Sequence, residues 1–241
     1  MKFRATIFLP LCLTLSAWSQ LTFTVPVVDK SDSGSPLEIS GTASFTEEVV
    51  GNSVTASSEY EVMARNMSGK GVVLLVAYFD EAGPHGGSTH HVLEFDHFFR
   101  RDIGPGESFV LARNRPGRRS SWCCINPLEG SDEPKAEVHV QFAQFGDGST
   151  FADEAVAKDI LATRSMIVEN LRRLEKATDD KEFLQLLSQR VKPDAADGFF
   201  EAVRYTQKNE GTAATRAEVR ASLAFAEKHA AAAIRSEQAA Q

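Results

Sequence analysis

Four of the six histidines, with two carboxylates, crowd the stretch GPHGGSTHHVLEFDHFF at residues 83–99: His85, His90, His91 and His97 beside Glu94 and Asp96. Imidazole and carboxylate are the groups that hold zinc in exported proteins and that pass protons near neutral pH, so chemistry is sought here first. The spacing argues against a ready-made site. HVLEFDHFF alternates apolar and polar residues, the period of a strand. Along a strand His91 and His97 lie about 20 Å apart, and His90 and Glu94 about 13 Å. Only the hairpin end remains, where His85 in a glycine-rich loop would fold towards His90, Asp80 or Glu81. Zinc sites normally converge three or four ligands. The stretch is therefore expected to be an ordinary strand and turn, with no metal and no cofactor.

A second candidate is basic. Arg100, Arg101, Arg113, Arg115, Arg118 and Arg119 are six of the ten positive residues between 20 and 151. If residues 92–99 and 107–112 form a hairpin, arginines from both strands meet near one end. Guanidinium groups suit carboxylate or phosphate, and Trp122 beside them would stack on a ligand. Arg113, Arg115, Arg118, Arg119 and Trp122 are the candidate binding surface; the competing reading is a solvated loop that balances nearby acids.

Other chemistries leave no mark. There is no Gly-x-Ser-x-Gly elbow, His-Glu-x-x-His helix or phosphate loop. DKSDSGSPLEIS begins like a calcium loop, with Gly34 at position 6, but position 12 is Ser40 where a bidentate Glu is needed. Asp147 in FGDGST reads as a turn residue between a strand and a helix rather than as a catalytic acid. Cys123 and Cys124 are adjacent, which strains a bridge between them. Two partly buried thiols, a vicinal disulfide, and an intermolecular bridge or metal contact stay open.

The elements that would carry these residues fall into three segments. Residues 1–19, MKFRATIFLPLCLTLSAWS, have the charged start, apolar stretch and small-x-small end of a secretory signal, with cleavage expected between Ser19 and Gln20. Beyond it no apolar run reaches the length of a membrane helix, so no membrane span is expected. Removing Lys2 and Arg4 leaves 24 basic against 33 acidic residues, net −9, a field that repels nucleic acid. Residues 20–151 carry 10 basic against 18 acidic groups and are the more acidic part.

Residues 20–151 follow a β pattern. EYEVMARN alternates, with Tyr60, Val62 and Ala64 on one face and Glu59, Glu61 and Arg65 on the other. VVLLVAYF (72–79) is apolar on both faces, the pattern of a central strand. Pro105-Gly106 suits a type II turn. EVHVQFAQF should point Val138, Val140 and Phe142 inward and His139 outward. Strands near 37–45 and 21–28 complete six or seven. VMARNMSGKGVVLLVAYFDEAG followed by FRRDIGPGESFVL resembles the secreted bacterial immunoglobulin-like modules of the FxLYD kind, over residues 54–112. The resemblance implies an antiparallel immunoglobulin-like β-sandwich that binds or spaces other molecules, with no catalytic residues to carry over. The Arg-rich insertion RNRPGRRSSWCC and the helical tail depart from that pattern.

From residue 152 to 241 the period becomes helical. Thr150 with Asp153 would cap a helix running from 152 to 177 with the stripe Val156, Ile160, Ile167, Leu171 and Leu174. Thr178 would cap a second helix bearing Phe183, Leu184, Leu187 and Val191. GFFEAVRY reads as a short third, and Val219, Leu223, Ala226, Ala230 and Ile234 as the seam of a fourth. The expectation is an α-helical C-terminal bundle in weak contact with the sandwich, hinged near Gly146-Asp147-Gly148.

The reading is an exported, periplasmic or extracellular, non-catalytic interaction or structural module whose partner is an unknown protein or envelope component. A small-ligand or metal binder using the 80–91 hairpin or the 113–122 loop ranks next, and an enzyme of unrecognised type third. Mass spectrometry of the exported chain is expected to show Gln20 as the first residue; an intact Met1 or a lipid on Cys12 would overturn that processing.

Overall fold

Two antiparallel-rich sheets and a C-terminal group of four helices make up the described part of the chain. The computed structural model describes residues 19–50, 53–84, 88–114, 119–120, 133–152 and 154–239. In chain order the strands are β1 (Ser19–Pro26), β2 (Val28–Asp29), β3 (Leu37–Val50), β4 (Ser53–Asn66), β5 (Val72–Ala82), β6 (Ser88–Asp96), β7 (Ser108–Asn114), β8 (Arg119–Ser120), β9 (Lys135–Phe145) and β10 (Thr150–Phe151). One sheet runs β1-β3-β4-β7 with β8 also on β4; the other runs β10-β9-β5-β6 with β2 parallel to β9. The expected strand near 37–45 extends to Val50, because β3 and β4 pair without a break from Leu37↔Asn66 to Val50↔Ser53.

Alternation decides what each strand buries. Ala43, Phe45, Val62 and Ala64 of the first sheet meet Leu75, Phe79, Val138 and Val140 of the second in one core between the sheets. Two turns hold the ends of these strands. Buried Asn66 donates from Nδ2 to the Lys70 and Ile103 carbonyls, and its Oδ1 accepts from the Ser68 N–H and hydroxyl. This is how Asn-x-Ser ends β4 without an unsatisfied amide. Gly106, at φ +74°, takes the left-handed position of the type II turn, and the Glu107 N–H closes it on the Gly104 carbonyl at 3.1 Å.

β9 departs from simple alternation. Val76 pairs with Phe142 but Ala77 pairs with Val140, so Gln141 is an extra residue. A bulge of this kind reverses which face the following residues present. Val138 and Val140 point between the sheets as expected, whereas Phe142 points outward, where it packs with Leu74, Val76, Ala157, Ile160 and Leu161. β5 is apolar on both faces because the first sheet covers one and the start of a helix covers the other.

The helices are α1 (Lys158–Glu175), α2 (Asp180–Leu187), α3 (Asp194–Glu210) and α4 (Thr212–Ala239). Among the described residues none is long and apolar enough to cross a membrane. Several local expectations need correction. Thr150 does not cap a helix: it pairs with Gln144 at the sheet edge, and a 3₁₀ turn at Glu154–Ala157 precedes α1. Val156 is accordingly off the stripe and 39% exposed. Asp179 rather than Thr178 caps α2, accepting from the Glu182 N–H at 2.8 Å, while Thr178 bonds the Glu182 carboxylate. Leu184 is exposed and Val191 lies past the end of α2. GFFEAVRY is the middle of a longer helix, α3. In α4 the buried seam reads Val219, Leu223, Ala226 and His229, and Ala230 faces solvent. The side chain of Ile234 lies outside the described residues.

At the expected weak contact and hinge the structure shows specific ties. Asp147 bonds the Ser149 N–H and hydroxyl and pairs with Lys70 at 2.7 Å, and the Gly146 N–H donates to the Gly71 carbonyl. The turn is tied down. The bundle core of Ile167, Leu171, Leu174, Phe183, Phe200, Val219 and Leu223 also includes Phe99, which follows β6. Across the junction the Arg164 guanidinium of α1 donates to both Asp96 carboxylate oxygens, at 3.0 and 2.7 Å, and to Gln144 Oε1 at 2.5 Å. It also stacks on the Phe98 ring, 4.4 Å from the centroid. Arg164 is only 5% exposed. Removing one member of a buried charge pair strands the other, so Arg164→Met should lower stability in urea by about 3 kcal/mol, and adding Asp96→Asn should restore part of it. A loss below about 1 kcal/mol would show the pair to be a solvated contact.

Candidate functional site

The histidine hairpin forms as expected, and its geometry divides the histidines between two faces. On the outer face His90 Nδ1 lies 2.5 Å from Asp80 Oδ1, with its ring 4.6 Å from that of Tyr78. His139 Nε2 lies 4.0 Å from Asp80 Oδ2. On the inner face His91 Nε2 lies 3.1 Å from Glu81 Oε1, and its ring stacks on Phe79 at 5.7 Å. His97, past the strand, bonds the Arg101 carbonyl at 2.8 Å. Among the described residues no three His, Cys, Asp or Glu side chains converge as a metal site, and His85 lies outside them.

The arginine set is separated by topology. β6 and β7 belong to different sheets and form no hairpin, so Arg101 and Arg113 sit at opposite ends of β7. Arg101 clamps Glu107 through two bonds of 2.8 and 2.6 Å, and this clamp with the Gly104 N–H holds the Glu107 carboxyl below its ordinary range. Arg113 pairs with Glu61, its neighbour across β4, and lines a shallow concavity of about 290 Å³ on the outer face of the first sheet. Arg119 stands opposite Ser57 in β8. Arg115, Arg118, Trp122, Cys123 and Cys124 lie outside the described residues.

The larger concavity lies elsewhere, where the second sheet meets the helices. It is a groove of about 410 Å³. Edge strand β6 contributes Glu94 and Asp96 from its outer face, and the loop beyond it Phe99 and Arg100. Helix α1 contributes Asp159, Ile160, Thr163 and Ile167, which share one face by helical spacing. Ala195 and Phe199, one turn apart in α3, close the other side. The floor is apolar, with Phe99 and Phe199 rings 4.9 Å apart. Asp96 is neutralised by Arg164, which leaves Glu94 and Asp159 against Arg100. Sequence reasoning had Glu94 and Asp96 only as companions of the histidines and Arg100 only in the arginine set, and it passed over Phe99, Asp159, Thr163, Ala195 and Phe199 as site residues. One signal was present: the α1 stripe has a gap between Ile160 and Ile167, and Arg164 fills it at helical spacing.

His229 braces the same junction. It is 4% exposed, and its Nδ1 lies 3.0 Å from the Phe98 carbonyl, which fixes Nδ1–H as donor and leaves buried Nε2 with no partner among the described residues. Burial lowers its pKa, Lys228 and Arg164 work in the same direction, and the bond to Phe98 and the charge of Asp102 only partly oppose them. Comparison with protein-family models, with curated proteins and with solved structures returned no match.

The unfolded imidazole titrates near 6.5 and the buried one lower, so as pH falls below about 6.5 the unfolded chain takes up the proton first. The stability from a neutral His229 is thus present above about 6.5 and is lost as pH falls towards the folded value. His229→Phe should flatten this part of the pH dependence of the urea midpoint. An unchanged slope would mean that His229 ionises in place.

Proposed function

We propose that this chain is an exported, non-catalytic interaction module: an immunoglobulin-like sandwich whose binding surface is completed by the helices docked on it. The signal-like residues 1–19 support export to the periplasm or beyond. The acidic surface supports a protein or envelope component as partner rather than nucleic acid. One observation carries the reading. The groove of about 410 Å³ combines an apolar floor with a few charged groups at its mouth, and it is built from both parts of the chain. Binding sites favour such junctions, because walls from two rigid bodies enclose a ligand that neither could bury alone.

The helices are more than a spacer in this reading. Phe99 enters their core, and Arg164 and His229 tie α1 and α4 to the segment around Asp96 and Phe98. A rigid junction keeps the groove preformed, and preformed walls cost less to order on binding.

The test immobilises the chain from Gln20 onward and exposes it to native envelope extract. Ala195→Trp places an indole at the groove mouth, and Thr24→Trp on the exposed face of β1 is the control. Retention should fall at least about tenfold with Ala195→Trp, equivalent to about 1.4 kcal/mol, and stay unchanged with the control. Equal retention by both variants would remove the groove as the binding surface.

A further inference from the structure

Resting on that reading of the groove, we propose that it receives an extended segment of a partner protein, which adds as a strand to the free edge of β6 and sets a lysine or arginine against Glu94. Two independent features support this: an unpaired strand edge, and the charge beside it.

β6 pairs with β5 on one side and, among the described residues, with no strand on the other. The His97 N–H donates to the Val73 carbonyl at 2.7 Å, and the β5–β6 register runs from Leu74↔Asp96 to Ala82↔Ser88 without a shift. In an antiparallel pair the N–H and C=O of one residue point to the same side and alternate along the chain. The odd residues His91, Leu93 and Phe95 therefore bond β5. The backbone groups of His90, Val92 and Glu94 face away from the sheet, ready to bond an added strand. Such edges are usually blunted by Lys, Pro or a bulge, and β6 contains none of these.

The side chains beside this edge differ between faces. Inward, Leu93 and Phe95 are half-buried, and Phe95 meets Phe109 across the sheets at 5.6 Å. Outward, Val92 is 55% exposed and Glu94 borders the groove with Asp159. An added strand alternates in the same way. Its inward residues extend the apolar face of Leu93 and Phe95. Its outward residues meet Val92 and Glu94, which calls for an apolar stem ending in a cation, the form of lysine or arginine. Asp96 is already bound by Arg164, and Arg100 follows beyond the strand, so the cation belongs opposite Glu94.

The test uses fluorescence anisotropy with the chain from Gln20 onward and labelled peptides alternating lysine with valine, about nine residues long to match β6. The Lys/Val peptide should bind at least about tenfold tighter than its Glu/Val counterpart, and Glu94→Lys should reverse that order. Val92→Pro removes one edge N–H without touching the bonds to β5 and should weaken binding at least about tenfold. N-methylation of alternate peptide residues should do the same with the protein unaltered, which keeps the test valid if Val92→Pro fails to fold.

Undiminished binding after N-methylation, or no change of preference in Glu94→Lys, overturns the proposal. So does a dimer in sedimentation that Val92→Pro converts to monomer, because a second copy would then own the edge. If no peptide binds while Ala195→Trp still abolishes envelope retention, the strand-addition inference fails and the groove reading survives. If Ala195→Trp leaves retention unchanged, the groove reading fails, and this proposal with it.

Discussion

The Arg164 guanidinium, taken out of water on α1, ties the chain's two regimes together. A buried arginine is tolerated only when its donors are met, and here Asp96 and Gln144 meet them while the Phe98 ring covers its face. Those partners come from the end of β6, from β9 and from the loop after β6. Each is thereby held against α1. Phe98 and Phe99 leave the sheet at this point, one under the guanidinium and the other in the bundle core. The groove lies where this junction is tied by Arg164 on one side and open on the other.

The bulge at Gln141 makes the same junction possible from the sheet side. Without the extra residue, Phe142 would continue into the space between the sheets with Val140. With it, Phe142 joins Leu74 and Val76 in an outer apolar patch that the start of α1 must cover. Burying such side chains is worth about 1.5–3 kcal/mol each, which is ample to dock one helix end. The two-faced character of β5 thus has its cause outside the two sheets.

The proposed function rests on where the chain gathers charge, an apolar floor and a strand edge together. Along the described strands and their turns several cations are matched locally: Arg101 by Glu107, Arg113 by Glu61, Lys70 by Asp147. His90 and His91 are likewise each matched to a carboxylate of β5. The groove gathers Glu94, Asp159 and Arg100 around an aromatic floor, with a strand edge alongside that no described strand pairs. An extended basic segment is the ligand class that satisfies the edge, the floor and the charge together.

Local periodicity alone determined a good deal of this protein. Alternation in EYEVMARN and HVLEFDHFF set which side chains face the core, since a strand's period of two is intrinsic to its backbone. The unbroken apolar run at 72–79 marked a strand covered on both faces, Pro105-Gly106 a turn, and the stripe from Ile167 to Leu174 a buried helix face. Tertiary structure decided what periodicity does not encode. One bulged residue moved Phe142 to the opposite face; sheet order put Arg101 and Arg113 at opposite ends of β7; and Arg164, polar by type, was buried because its partners come from residues 96 and 144. The groove lies at that junction, and its residues are neighbours only after the chain has folded. The one local sign was Arg164 within the apolar stripe of α1; the rest was not legible, because the groove's walls come from three distant segments, each with an ordinary sequence of its own.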